Sequence, residues 1–163
     1  MATISDEISQ DAEEWSRKLA VNHPHSLDVS MRRLLSAVTT RFDPTDGLVD
    51  AVICWENMFG TDQETTFRVC GALASILEPS DSGKRAELNR ELKRIYGVRS
   101  KLVHGSRNEP TAQQVVADRD RALGHALNAI RKLHERPELL SLEESAVRST
   151  CLLLDLPPDL VNV

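Results

Sequence analysis

The sequence predicts an all-α protein in which about four core helices form a bundle and further helices lie at both ends. Seven prolines divide the chain into segments, and within these segments the apolar residues recur at helical spacing. No stretch alternates β-branched and polar residues over the length of a strand. No hairpin dipeptide such as Asn-Gly joins two apolar runs. These observations favour helices that pack on helices.

The composition predicts one soluble, cytoplasmic domain. The chain has 163 residues, of which 40% are hydrophobic and 28% are charged, with a formal net charge of −5. This charge and the small number of aromatic residues argue against a surface that grips nucleic acid along its whole length. Three cysteines without a close pair favour a reducing compartment. No apolar run is long enough to span a membrane, and the acidic start is unlike a secretory signal.

The first four helices are predicted from their apolar stripes and their end signals. Ser5 is suited to an N-cap, Gly60 to the residue after a helix, and Pro79 to a stop. The stripes are Ile4, Ile8, Trp15 and Leu19; Leu27, Met31, Leu34, Leu35 and Val38; Leu48, Val52, Trp55 and Phe59, within the segment from Pro44 to Phe59; and Phe67, Cys70, Gly71, Ala74 and Leu77.

Three more helices are predicted after the turn at residues 79–83. The fifth runs from about Arg85 to His104, and Gly97 within it indicates either a close backbone approach or a tolerated glycine. The sixth follows Pro110 and a short seventh follows Pro137, before two consecutive prolines end the regular structure. Their stripes are Leu88, Leu92, Ile95 and Leu102; Val116, Leu123, Leu127, Ile130 and His134; and Leu139, Leu142 and Ala146.

The positive charge is concentrated in one segment. Between Lys84 and Arg107 the chain carries eight basic residues and two acidic ones, so this segment has a net charge of +6 and the remainder has −11. A polyanion is therefore expected to engage this segment alone, with few phosphate contacts and a shallow salt dependence. Within the segment we predict RNA contacts at Lys93, Arg94, Lys101 and Arg107.

Arg99 and His104 form a candidate catalytic pair at the end of the fifth helix. A histidine transfers protons in both directions near neutral pH, and an arginine offers a fixed fork of donors to phosphate. Together they can cleave RNA without a metal ion. Five residues on an ideal helix rotate by about 500°, so the two side chains lie about 140° apart. They converge only if the helix end is distorted or a second subunit supplies the matching pair. The alternative interpretation is a helix end at which His104 interacts with the last carbonyls and Gly105 caps.

Three stretches carry a resemblance to a known family. They are DGLVDAVICWENMFG (46–60), ETTFRVCGALA (64–74) and LKRIYGVRSKLVHG (92–105). In this order they resemble the HEPN superfamily, with its ApeA-like branch as the nearest match, over residues 27–136. The resemblance implies an antiparallel four-helix bundle that dimerises. It also implies metal-independent endoribonuclease activity through an arginine and a histidine four to six residues apart, in prokaryotic defence or toxin–antitoxin systems.

The resemblance assigns roles to individual residues. Arg99 and His104 would be the catalytic pair, and Ser100 the polar residue that follows the arginine. Glu56 and Arg68 match charged positions on the first two core helices, where we expect them to form an internal ion pair that sets the helix register. Residues 1–26 and 137–163 lie outside the resemblance and are expected to form accessory helices.

Other polar residues give weaker signals, and no cofactor is expected. His23 and His25 flank a proline without a nearby Cys or acidic cluster, so they are interpreted as loop residues and not as a metal site. His125 and His134 fall on opposite sides of their helix. The three cysteines, Cys54, Cys70 and Cys151, are interpreted as core residues.

The sequence therefore predicts a cytoplasmic, homodimeric ribonuclease that cuts single-stranded or loop RNA, with an antitoxin or other defence protein as a further partner. The alternative is a non-catalytic HEPN dimer that serves as an RNA- or nucleotide-binding or scaffold module. Two Arg99–His104 pairs that converge in an open groove would favour the enzyme. A buried arginine or histidine would favour the scaffold.

Overall fold

The computed structural model describes residues 5–105 and 109–161, which form eight α-helices, two 3-10 turns and no strand. The all-α class is therefore confirmed for these residues. None of the helices they form is both long and apolar enough to cross a membrane. The helices are α1 (Asp6–Asn22), α2 (Asp28–Thr39), α3 (Pro44–Phe59), α4 (Thr65–Leu77), α5 (Ser82–His104), α6 (Ala112–His134), α7 (Pro137–Leu140) and α8 (Ser145–Leu154); the 3-10 turns are His25–Leu27 and Pro158–Leu160.

Side-chain caps set the start of several helices. Ser5 accepts from the Ile8 amide at 3.4 Å, which confirms the predicted cap of α1. The Asp81 carboxylate accepts from the Lys84 amide at 3.0 Å, and α5 begins at Ser82, three residues before the predicted start at Arg85. A cap satisfies a backbone donor that has no partner inside the helix, so it fixes the first turn locally.

One continuous core joins the long helices. α3 packs against α2, α4, α5, α6 and α8, and it contributes the fully buried Trp55 and Phe59. The Trp55 indole Nε1 donates to the carbonyl of Ala122 at 3.2 Å, which ties α3 to α6. The cysteines are buried as predicted. Burial raises the pKa of the Cys54 and Cys70 thiols to about 12, so neither is a nucleophile near neutral pH.

Gly60 follows α3 as predicted, whereas Gly97 is not the position of a close approach. Gly60 follows α3 with a φ of −75°, outside the left-handed region, and a Cβ there would collide with the backbone of Glu56. A Cβ at Gly97 would meet no described atom within 4 Å, because this residue lies on the outer face of α5. Within one chain, therefore, no close backbone approach of a described residue requires Gly97. The close approach occurs at Gly71, where a Cβ would lie 2.6 Å from Leu153 of α8.

The C-terminal segment departs from the predicted single short helix. It forms α7 and α8, and both contribute to the same core as the long helices. The fully buried Arg148 of α8 holds this arrangement. Its guanidinium donates to the carbonyls of Met58 at 2.9 Å and of Leu139 at 3.1 Å, and also to that of Leu142. Burial lowers the pKa of Arg148 to about 10. The predicted end of regular structure at the two prolines is also wrong, since Pro158 begins a 3-10 turn.

Candidate functional site

Arg99 is held against the core by a residue of another helix. Its side chain is 18% exposed, and its Nη2 lies 3.4 Å from Oε2 of Glu56, which lies near the C-terminal end of α3. The Nε of Arg99 is buried and has no hydrogen-bond partner among the described residues. The guanidinium is thus oriented by one carboxylate while one of its donors is unsatisfied.

Tyr96 completes this arrangement one helical turn before Arg99. Its hydroxyl donates to Oε1 of Glu56, and the Arg99 guanidinium carbon lies 5.9 Å from the centre of its ring. Burial raises the pKa of Tyr96 to about 12, and the neighbouring carboxylate of Glu56 adds to this shift. The hydroxyl therefore stays protonated and remains a donor at neutral pH. One carboxylate thus binds both residues, and we call the three side chains, Glu56, Tyr96 and Arg99, the arginine clamp.

His104 lies apart from the arginine clamp. It is the last residue of α5 and is exposed, and Gly105 follows it with a φ of +73°, which glycine adopts without steric cost. α5 is helical throughout, so the rotation of about 140° between Arg99 and His104 remains. Ser100 is partly exposed between them. A single chain therefore presents the arginine and the histidine on different sides of α5.

The predicted RNA contacts have different surroundings. Lys93 and Lys101 are exposed on the outer face of α5. Arg94 instead donates through both Nη atoms to Asp118 of α6, at 2.8 and 2.6 Å, and that carboxylate is only 3% exposed. This pairing raises the pKa of Arg94 and ties α5 to α6. Arg107 lies outside the described residues.

The expected ion pair between Glu56 and Arg68 is not the one that forms. Glu56 binds Tyr96 and Arg99, whereas Nη1 of Arg68 donates to the Thr150 hydroxyl of α8 at 3.1 Å. The rotation of α4 directs Arg68 towards α8 and leaves the Glu56 carboxylate facing α5. The arginine clamp therefore replaces the predicted pair as the link from Glu56 to another helix.

Sequence reasoning missed two partners in this region. Tyr96 precedes Arg99 by three residues, so the two share a helix face, and this spacing could have identified it. Asp118 lies in another helix without a local signal. Its pairing with Arg94 depends on how α5 and α6 pack.

The other histidines have structural partners. His23 and His25 contact the carboxylate of Asp28, and His134 stacks on His23 with 6.3 Å between ring centres. His125 packs against Trp55. Within residues 5–105 and 109–161, no three Cys, His, Asp or Glu side chains are grouped as metal ligands.

Comparison of the chain with models of protein families, with curated proteins and with solved structures gives no match.

Proposed function

We propose that this protein is a metal-independent endoribonuclease of the HEPN type, with an antiparallel four-helix core and a site formed by Arg99 and His104 of two subunits. The observation that carries the proposal is the arginine clamp. An arginine in the predicted motif is oriented by a carboxylate and a tyrosine, five residues before an exposed histidine at a helix end. Such preorganisation is what an electrostatic stabiliser of phosphoryl transfer requires.

The chemistry uses the two side chains in different roles. His104 removes the proton from a ribose 2′-OH, and the resulting oxygen attacks the adjacent phosphorus. The bond from phosphorus to the 5′-oxygen breaks, and that oxygen takes a proton from the histidine of the second subunit. The products are a 2′,3′-cyclic phosphate and a 5′-OH end. Arg99 donates to the phosphoryl oxygens as negative charge accumulates on them.

The site needs two chains because of the helix geometry. Arg99 and His104 lie about 140° apart on α5, so one subunit does not direct both at one phosphate. A two-fold axis beside the C-terminal half of α5 would bring two such pairs into one groove. Homodimers with a two-fold axis are the commonest oligomers of soluble proteins.

The charge distribution favours a short single-stranded substrate. The outer face of α5 presents Arg90, Lys93 and Lys101, whereas the chain outside residues 84–107 carries a net charge of −11. Attack by the 2′-OH needs an in-line geometry that a flexible single strand or loop reaches more easily than an A-form helix, and proteins read RNA mainly in unpaired regions. We place this activity in the cytoplasm, in a prokaryotic defence or toxin–antitoxin system with a partner that controls it.

A second candidate function is a non-catalytic HEPN dimer that binds RNA, a nucleotide or a partner protein. The observation in its favour is the burial of Arg99, which is only 18% exposed and already bound to Glu56. In this case the arginine clamp would serve only to join α3 to α5.

RNA cleavage in the presence of EDTA distinguishes the two functions. The wild-type protein is expected to cut mixed single-stranded RNA and leave 2′,3′-cyclic phosphate ends. Arg99→Ala and His104→Ala should each reduce the rate by about 100-fold or more. Arg32→Ala, in an exposed arginine of α2, serves as the matched control and should cleave normally. Cleavage that survives in either site variant overturns the assignment. A wild-type protein that dimerises but does not cleave favours the scaffold.

A further inference from the structure

Phe67 is an exposed aromatic residue beside the basic face of α5. It lies in the first turn of α4, and 54% of its surface is exposed, whereas Phe59 is fully buried. The ammonium group of Lys93 lies 5.7 Å from the centre of its ring. The packing of α4 on α5 thus places an exposed ring beside an exposed cation.

This pair lies close to the arginine clamp. Tyr96 of the clamp lies one helical turn after Lys93, and its hydroxyl donates to Glu56. Along α5, Lys93 precedes Arg99 by six residues, which corresponds to about 9 Å along the helix axis and a rotation of about 600°, so the two side chains lie about 120° apart around the helix. A strand bound at Phe67 and Lys93 therefore has to follow the surface of α5 around to reach Arg99.

The chemistry of the pair matches a nucleotide. A base has an apolar face that stacks on a phenyl ring, and its phosphate is an anion that a lysine neutralises. Charge favours RNA as the occupant, because Lys93 and the two other exposed bases of the outer face, Arg90 and Lys101, complement a polyanion.

We propose that Phe67 and Lys93 form a docking site for one nucleotide of single-stranded RNA, whose base stacks on the phenyl ring and whose phosphate contacts the lysine. The identity of the ligand rests on the proposed function, but the site itself is testable by binding without cleavage.

Binding is measured with a short 2′-O-methyl RNA that contains 2-aminopurine, because this strand has no 2′-OH and stays intact. The base should lose fluorescence as it stacks on the protein. Phe67→Ala should weaken binding by about 5- to 100-fold and abolish the quenching. Phe67→Trp should retain both, since an indole also stacks.

Phe42→Ala is the matched control. Phe42 is 94% exposed and precedes α3, whereas Phe67 follows the far end of that helix, which is about 24 Å long. This variant should bind as the wild type does. Sedimentation of each variant checks that the oligomeric state is unchanged.

The outcomes separate this site from the ribonuclease assignment. Equal binding by Phe67→Ala and Phe42→Ala overturns the docking site even if Arg99 and His104 are needed for cleavage. Binding that depends on Phe67 in a protein that does not cleave RNA supports the site and counts against the enzyme. Failure of the wild-type protein to bind the strand overturns the site. A change in oligomeric state confined to Phe67→Ala also overturns it, because the ring would then pack against a second copy.

Discussion

The Nη2 of Arg99 lies 3.4 Å from Oε2 of Glu56, which is forty-three residues away in the chain. The other oxygen of that carboxylate accepts from Tyr96. An arginine side chain has several rotatable bonds, and a bound carboxylate removes part of that freedom. The arginine clamp therefore restricts the directions in which the guanidinium points.

Glu56→Gln is expected to slow RNA cleavage by about 10- to 100-fold, because the neutral amide holds the guanidinium less firmly and a small misplacement of a catalytic group is costly. The loss should appear in kcat more than in KM, as expected for an interaction that matters in the transition state. Steady-state kinetics on a short RNA measures both.

Tyr96→Phe is the matched control for this prediction. It removes one hydrogen bond but keeps the charge of Glu56, so the rate should fall only by about 2- to 10-fold. Wild-type kcat in Glu56→Gln would show that the clamp has no role in positioning Arg99.

Arg94→Met is expected to change the stability of the protein, whereas Lys101→Met is expected to change the salt dependence of RNA binding. Arg94→Met leaves the buried Asp118 carboxylate without its partner and should lower the free energy of unfolding by about 2–3 kcal/mol, below the fully buried case because Arg94 is partly exposed. Lys101→Met should leave stability within about 0.5 kcal/mol and reduce the slope of log K against log salt by about 0.7 for single-stranded RNA.

Urea unfolding and RNA-binding titrations at several salt concentrations measure the two effects. If Arg94→Met changes the salt slope but not the stability, Arg94 contacts RNA as the sequence predicts, and its pairing with Asp118 contributes little.

Arg148→Met should destabilise the protein by about 3 kcal/mol or more, because the carbonyls of Met58, Leu139 and Leu142 lose a buried donor together. Arg32→Met, on the surface of α2, should change stability by no more than about 0.5 kcal/mol. Equilibrium unfolding in urea compares the two. Equal stability of the two variants would mean that apolar packing replaces these hydrogen bonds.

Stability should fall as the pH is lowered from about 7 to about 5.5. Burial lowers the pKa of His125 and of His134 below the ordinary value of 6.5, so the folded state binds fewer protons than the unfolded state in this range. Glu91 and Arg121 face His125, while His23 and the Ile130 carbonyl face His134. The pKa of the Asp28 carboxyl is lowered from 3.8, so its own effect appears at more acidic pH.

The double variant His125→Gln, His134→Gln should lose most of this pH dependence. Urea unfolding at several pH values tests the prediction. A wild-type stability that is constant or rises on acidification in this range would contradict it.

Local signals were sufficient for the positions of the long helices. Ser5 caps α1 and Pro44 begins α3 as predicted, because capping and proline geometry act within a few residues. The split of the C-terminal segment into α7 and α8 was missed. This split depends on hydrogen bonds from Arg148 to carbonyl groups of α3 and α7. No local sequence pattern predicts these contacts.

The sequence by itself determined the helical class, the concentration of positive charge between residues 84 and 107 and the spacing of Arg99 and His104. Only the tertiary structure decided that Glu56 binds Arg99 and not Arg68. It also decided that Arg94 pairs with Asp118. It placed the exposed Phe67 beside Lys93. Helix periodicity is a property of neighbouring residues. The partner of a charged side chain depends on how far each helix is rotated against the next, and that rotation is set by the packing of the whole core.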